Sequence, residues 1–341
     1  MSRIFKINAT FEKEEYKKHF LYLLILILLM PLLLVIFGYD KSQVFSYPYQ
    51  AEANFPFYKQ EIFQKSEAID LLFVGPCTTW WQVLPTAFIE AYEQKKQRTP
   101  VIVNLGYNHS GEELTYLLVR ETLNKRKVKT LVLTTPRPNE MYEFPHPNSF
   151  MFWNHFHDIK TGPKIDLVTH FQLYGVSVMG AIRHLPFLAF KNSYPPHLDK
   201  FSTYGEKIRE PAGTQTEWHF RGDFKNYFFS NWDQQQMTLG RPISEREISF
   251  LKATVHLAQS HGIQVVFLSS PLREDFETGK IEERANWFQL FDNIKFVGIP
   301  ASKIRAENPE TWEQMLLGNN LSPEASMWFS RKWAQIFVEH L

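Results

Sequence analysis

The sequence predicts an α/β fold, a doubly wound parallel sheet in three layers, preceded by one transmembrane helix. Three observations carry this reading. Five runs of strand length, AIDLLFVG (68–75), TPVIVNLG (99–106), VKTLVLTTP (128–136), GIQVVFLSSP (262–271) and NIKFVGIP (293–300), are rich in Val, Ile and Leu, and several end in Gly or Pro. Segments beside them, such as PTAFIEAYEQKKQ and GEELTYLLVRETLNKRK, carry apolar residues at three- and four-residue steps, the mark of helices with one buried face. Ahead of both lies FLYLLILILLMPLLLVIFG (20–38), which has no charged side chain and no polar face.

At about 1.5 Å per residue that apolar run approaches the ~30 Å of a hydrocarbon core. Its one breaker, Pro31, removes a backbone donor, a defect that membrane helices tolerate. Arg3, Lys6, Lys13, Lys17 and Lys18 precede the run, while Lys41 stands alone after it, so the positive-inside rule keeps residues 1–19 in the cytoplasm. The remainder is expected outside the inner membrane, in the periplasm of an envelope-type bacterium. GYDKSQVFSYPY offers no small-x-small cleavage site, which favours an uncleaved signal-anchor over a signal peptide.

Residues 39–66 read as a connector, with SYPYQAEANFPFY too broken by Pro for regular structure. Residues 67–341 then form one domain, since strand and helix patterns alternate as a doubly wound sheet requires. SEREISFLKATVHLAQSHG begins with a capping box, Ser244 and Glu247, and stops at Gly262. PEASMWFSRKWAQIFVEHL supplies the last helix. An insertion at about 140–240, dense in Pro, Asn, Trp, Phe and His, separates the third strand from the fourth.

Composition narrows the function classes. Lys+Arg number 37 against 36 Asp+Glu, and no basic run is interleaved with aromatics, so nucleic acid is not an expected partner. Cys77 is the single cysteine, which rules out an intramolecular disulfide and leaves one thiol to explain. Aromatic residues reach 16%, and their richest stretches lie in the insertion, where they suit a contact surface as well as a core.

In doubly wound sheets ligands collect at the carboxyl ends of the strands. Those positions hold Gly75-Pro76-Cys77-Thr78, Asn104-Leu105-Gly106, Pro136-Arg137-Pro138-Asn139-Glu140 and Ser269-Ser270-Pro271, and Leu317-Gly318-Asn319-Asn320-Leu321-Ser322-Pro323 precedes the last helix. This series resembles the SGNH hydrolase superfamily, or GDSL esterases, and especially its membrane-anchored extracytoplasmic branch serving O-acylation of envelope polymers. The resemblance covers most of residues 68–341 and implies a flavodoxin-like three-layer sheet. It places Cys77 where the family has its serine nucleophile, and Gly106 and Asn139 where the family has its oxyanion donors. It also puts Asn320 where the family's histidine belongs and Leu317 where its aspartate belongs. Both halves of the family's base are therefore replaced.

A serine hydroxyl attacks an acyl carbon only when a base takes its proton, and Asn cannot do so. A cysteine, partly ionised at neutral pH and at the start of a helix, needs a base less. His109, His146, His155 and His157 are the candidates for a displaced one. Each signal has a plainer reading beside it. Free cysteine usually serves as a small hydrophobe, and turn Gly and Asn serve backbone geometry. Trp80 and Trp81 suit an acyl or sugar pocket but pack cores more often. His155-x-His157 with Asp158 lacks a clear third ligand, so no metal or other cofactor is expected. Lys125-Arg126-Lys127 reads as a solvated helix end.

The expected function is a catalytically degenerate pseudoenzyme, single-pass in the inner membrane, acting as a binding or scaffold subunit of a cell-envelope assembly. Its expected partners are the bilayer, integral-membrane or envelope proteins, and a glycan. The alternative is an active Cys-dependent esterase or O-acyltransferase on an acylated envelope glycan.

Overall fold

The computed structural model describes residues 13–36, 55–107, 111–135, 145, 162–176, 228–229, 244–269, 291, 294–299, 316–317, 320–321 and 323–340. Helix α1 spans Lys13–Ile36, and its side chains are described for residues 16–29, nearly all of them exposed. Among the described residues no helix is long and apolar enough to cross a membrane.

Five strands form a parallel sheet: β1 (Ile69–Gly75), β2 (Ile102–Gly106), β3 (Val128–Thr134), β5 (Gln264–Leu268) and β6 (Lys295–Val297). Their spatial order is β2-β1-β3-β5-β6, so the winding reverses between β1 and β3. A sixth strand, β4 (Phe228–Phe229), adds antiparallel to β6 at the edge. It falls in the insertion, where the sequence predicts no strand, and two residues are too few to show a period.

Helices cover both faces of the sheet, as a buried parallel sheet demands. Helix α4 (Glu112–Lys125) and α5 (Glu245–Ser260) pack together on one face, and α3 (Pro85–Lys96) and α6 (Pro323–His340) on the other. The strands feed both layers by strict alternation. Leu72, Val74, Leu131, Leu133, Val265 and Phe267 join one apolar cluster, while Leu71, Phe73, Val132, Val266 and Leu268 join the second. In the second layer Phe88 meets Phe73 and Phe337 edge-on at 5.0 and 5.6 Å between ring centroids.

The predicted helix signals operate as expected. Ser244 Oγ accepts from the Glu247 N–H at 3.2 Å and Glu247 Oε2 accepts from the Ser244 N–H at 2.9 Å, closing the capping box of α5. Gly262 takes φ +70°, a conformation costly for a side chain with a Cβ, and turns the chain into β5.

The connector differs from expectation. Phe55–Tyr58 is a helical turn that runs into a π-helical stretch, Lys59–Gln64. Tertiary burial overrides the Pro-rich composition here, because Tyr58 and Ile62 are fully buried in the first cluster and Glu61 meets Arg126. Arg126, in a segment that reads as a solvated helix end, is instead buried. Its Nε donates to Glu67 O at 2.8 Å and its guanidinium to Glu61 O and Oε2 at 2.7 and 3.1 Å. The described part of the insertion adds a helix at 167–176, whose N–H of Thr169 is capped by Asp166 at 2.6 Å.

Candidate functional site

The carboxyl end of the sheet is assembled around a short helix, α2 (Cys77–Gln82), which starts immediately after β1. Cys77 is its first residue, behind Pro76 at the N-cap. The Cys77 side chain lies outside the described residues. Beside it, Gly75 and Gly106 are register partners at the ends of β1 and β2, and the Tyr107 N–H donates to Gly75 O at 3.1 Å.

Both glycines are required by close approach. A Cβ on Gly75 would stand 2.3 Å from Thr79 Oγ1 and 2.5 Å from Thr134 Oγ1, two hydroxyls that bond each other at 3.0 Å and tie α2 to β3. On Gly106 it would stand 2.4 Å from the Trp80 backbone nitrogen. The backbone of α2 therefore lies directly on the end of β2.

Asn104 organises this contact. Its Nδ2 donates to Thr79 O at 2.9 Å, which also accepts from the Val83 N–H, and to the carbonyl of the C-cap residue Val83 at 2.8 Å. Its Oδ1 accepts from the Gly106 N–H at 2.9 Å. The backbone donor that the family resemblance assigns to an oxyanion is thus already engaged inside the protein. On its other side the Gly106 carbonyl accepts from the buried Tyr58 hydroxyl at 2.5 Å.

The segment before α6 forms a small antiparallel hairpin, β7 (Leu316–Leu317) and β8 (Asn320–Leu321), in which Leu317 and Asn320 are direct cross-strand partners. Strand β8 lies against α2. The fold therefore brings the backbone of β8, which holds Asn320, next to the helix that begins with Cys77. Asn139 lies outside the described residues, as do His109, His146, His155, His157 and Asp158. Among the described residues no group of His, Cys, Asp and Glu side chains is placed to hold a metal ion. Trp80 is half-buried on α2, and the Trp81 side chain is outside the described residues.

No protein-family model matches this chain, and no curated protein matches it.

Next to the strand ends sits a group of carboxyls of which the sequence singles out Glu247 alone, as a helix cap. Glu112, Glu113 and Glu247 are all buried where α4 and α5 begin. Burial foremost, then the charges of Glu247 and Glu113, pushes the Glu112 carboxyl up to about 8, so it is mostly protonated at neutral pH. Tyr107, fully buried, bonds Gly111 O and Thr115 Oγ1, both at 2.7 Å, and its phenol is pushed well upward by burial. Asn104 and Glu112 both carried a sequence signal, a polar residue inside an apolar strand run and adjacent acids at a helix start. Each signal names a need for partners without naming the partners.

Proposed function

We propose that this chain is a membrane-anchored, catalytically degenerate SGNH-like protein that acts as a binding or scaffold subunit of a cell-envelope assembly. The observation that carries the reading is the engagement of the Gly106 N–H by Asn104 Oδ1 at 2.9 Å. An oxyanion hole works because its donors are aimed, unpaired, at the position where charge develops. A donor held by a neighbouring side chain would have to break that bond at each turnover. Leu317 and Asn320, at the positions of the family's Asp and His, supply no general base.

The sequence of α1 supports the anchor: the helix runs through an apolar stretch free of charge, and Phe20, Leu21, Leu23 and Leu26 are more than half exposed. Leucines held in water at that density have no packing reason to exist outside lipid or a partner helix. The flanking lysines support a cytoplasmic N-terminus and a periplasmic domain. Partners of this reading are integral-membrane or envelope proteins, with a glycan as ligand of the domain.

A second reading, a Cys-dependent esterase or O-acyltransferase, is favoured by the place of Cys77 as first residue of α2 at the end of β1. The two separate in one experiment on the full chain in detergent. A fluorophosphonate probe and a thiol-directed acyl probe are applied to the native protein and to Cys77→Ala, with an intact hydrolase of the same fold as control. The scaffold reading expects no labelling of either variant under conditions that label the control. Acylation lost with Cys77→Ala, together with turnover of a short acyl ester, would establish the enzyme instead.

A further inference from the structure

The contact between α2 and α6 satisfies its backbone and leaves side chains over. Ser330 Oγ donates to Gln82 O at 2.8 Å and accepts from the Leu84 N–H at 2.9 Å, so this face of α6 is set against the end of α2. Ser326 and Trp333 share that face, four residues before Ser330 and three after it. Strand β8, which leads into α6, also lies against α2, so the first turns of α6 are at α2 as well. On α2 itself Thr79 turns to the sheet, where its hydroxyl meets that of Thr134. Thr78 and Gln82, four residues apart, share a neighbouring face, and away from the sheet α2 is covered among the described residues by α6 and β8.

Five polar atoms in this contact have no hydrogen-bond partner among the described residues: Thr78 Oγ1, Gln82 Oε1 and Nε2, Ser326 Oγ and Trp333 Nε1. All four residues are no more than 1% exposed. Buried polar atoms are nearly always partnered, so five of them in one contact call for an occupant. Their chemistry selects it. Gln82 Oε1 needs a donor, Gln82 Nε2 and Trp333 Nε1 need acceptors, and the two hydroxyls take either. None of the four side chains is charged, and an ion among them would be buried without compensation. Water offers donors and acceptors at once and makes about three bonds to buried groups of this kind.

We propose that the seam between α2 and α6 is a built internal water site, in which ordered water bridges Gln82 to Thr78 and Ser326 and continues toward the Trp333 indole. Thr78 directly follows Cys77, so this water lies beside the first turn of α2, at the end of β1 where ligands of such sheets collect. The short helix is then joined to α6 through water as well as through Ser330. The site rests on neither reading of the protein's function and holds under both.

The test uses the full chain purified in detergent. A crystal structure is expected to show water within hydrogen-bond distance of Gln82 and of at least one of Thr78 and Ser326. Density without water in the seam, or Gln82 bonded directly to another side chain, overturns the proposal. Chemical unfolding gives an independent reading in solution, with Gln82→Met, which keeps the side chain's length and removes both polar atoms, and the exposed Gln259→Met as control. With water in the seam, Gln82→Met breaks two bonds and leaves the water short of partners, so its denaturant midpoint is expected to fall while that of Gln259→Met stays at the native value. A midpoint for Gln82→Met equal to or above the native one would mean that unpartnered atoms had been removed, and would overturn the water site.

Discussion

Asn104 holds the Gly106 N–H on its Oδ1 at 2.9 Å while its Nδ2 reaches two carbonyls of the next helix, Thr79 O and Val83 O. One buried amide thus clamps the end of β2 to α2, and the Gly106 donor is spent on the clamp. Replacing Asn104 by Leu removes the partner of two buried backbone groups, the Gly106 N–H and Val83 O, while Thr79 O keeps the Val83 N–H. Unsatisfied groups cost about 1–3 kcal/mol each, moderated by water entry, so Asn104→Leu is expected to lose about 2–4 kcal/mol in chemical unfolding of the full chain. A loss under 1 kcal/mol would show the clamp to be dispensable.

Gly106→Ala distinguishes a structural glycine from an oxyanion donor, because alanine keeps the N–H. The added Cβ meets the Trp80 backbone nitrogen at 2.4 Å, and backbone yields less readily than a flexible side chain. The variant is expected to be destabilised by about 3 kcal/mol, toward the upper end of overpacking costs, with a matching fall in melting temperature. An unchanged melt would mean that α2 lifts away from β2 at little cost.

The buried pair of Arg126 and Glu61 secures the π-helical stretch to the start of β3. Arg126→Ala takes the guanidinium from Glu61 Oε2 and from the carbonyls of Glu61 and Glu67 while Lys65 stays on Glu61 Oε1, a loss of about 2–4 kcal/mol. Proteolysis should then cut within 55–66 in the variant before it cuts the native protein. Equal cutting rates would show that Tyr58 and Ile62 hold this stretch unaided.

Stability should fall as pH rises from about 4.5 to about 8 because of Glu112. Its carboxyl titrates near 4.5 in the unfolded chain and is raised to about 8 in the fold, so between those values the folded state holds a proton that the unfolded state has released. Stability therefore declines as pH rises through that window and levels off above it. Glu112→Gln, which keeps the neutral form, should be stabilised at pH 8 by a few kcal/mol on the order of that shift and show a flatter profile. Unfolding midpoints from pH 5 to 9 for both forms provide the comparison, and parallel profiles would refute the assignment.

Asp70 acts with the opposite sign. Burial pushes its carboxyl up, but bonds from Arg98, Lys129 and the Val101 N–H outweigh burial and lower it to about 2. Its contribution is complete above the unfolded value near 3.8 and disappears as pH falls through about 2. Both basic partners are substantially solvent-exposed, so Asp70→Asn should lose only about 1–2 kcal/mol at pH 6 and most of that difference should be gone by about pH 2, read by the same midpoints.

The sequence by itself determined the five parallel strands, the order of the helices around them, the capping box at Ser244 and the turn at Gly262. Each of these is written in local periodicity or in a conformational demand of one residue, so nearby residues suffice to specify it. The two-residue strands β4, β7 and β8 and the helical residues 55–64 escaped, because pairing partners or burial supply their stability and composition alone argues against them. Only the tertiary structure decided that the Gly106 N–H belongs to Asn104, that Glu61 meets Arg126 across 65 residues, and that Glu112 is neutral at ordinary pH. The reason is physical: a buried polar group must be satisfied, yet the sequence states only the need, and the fold alone brings the partner within 3 Å.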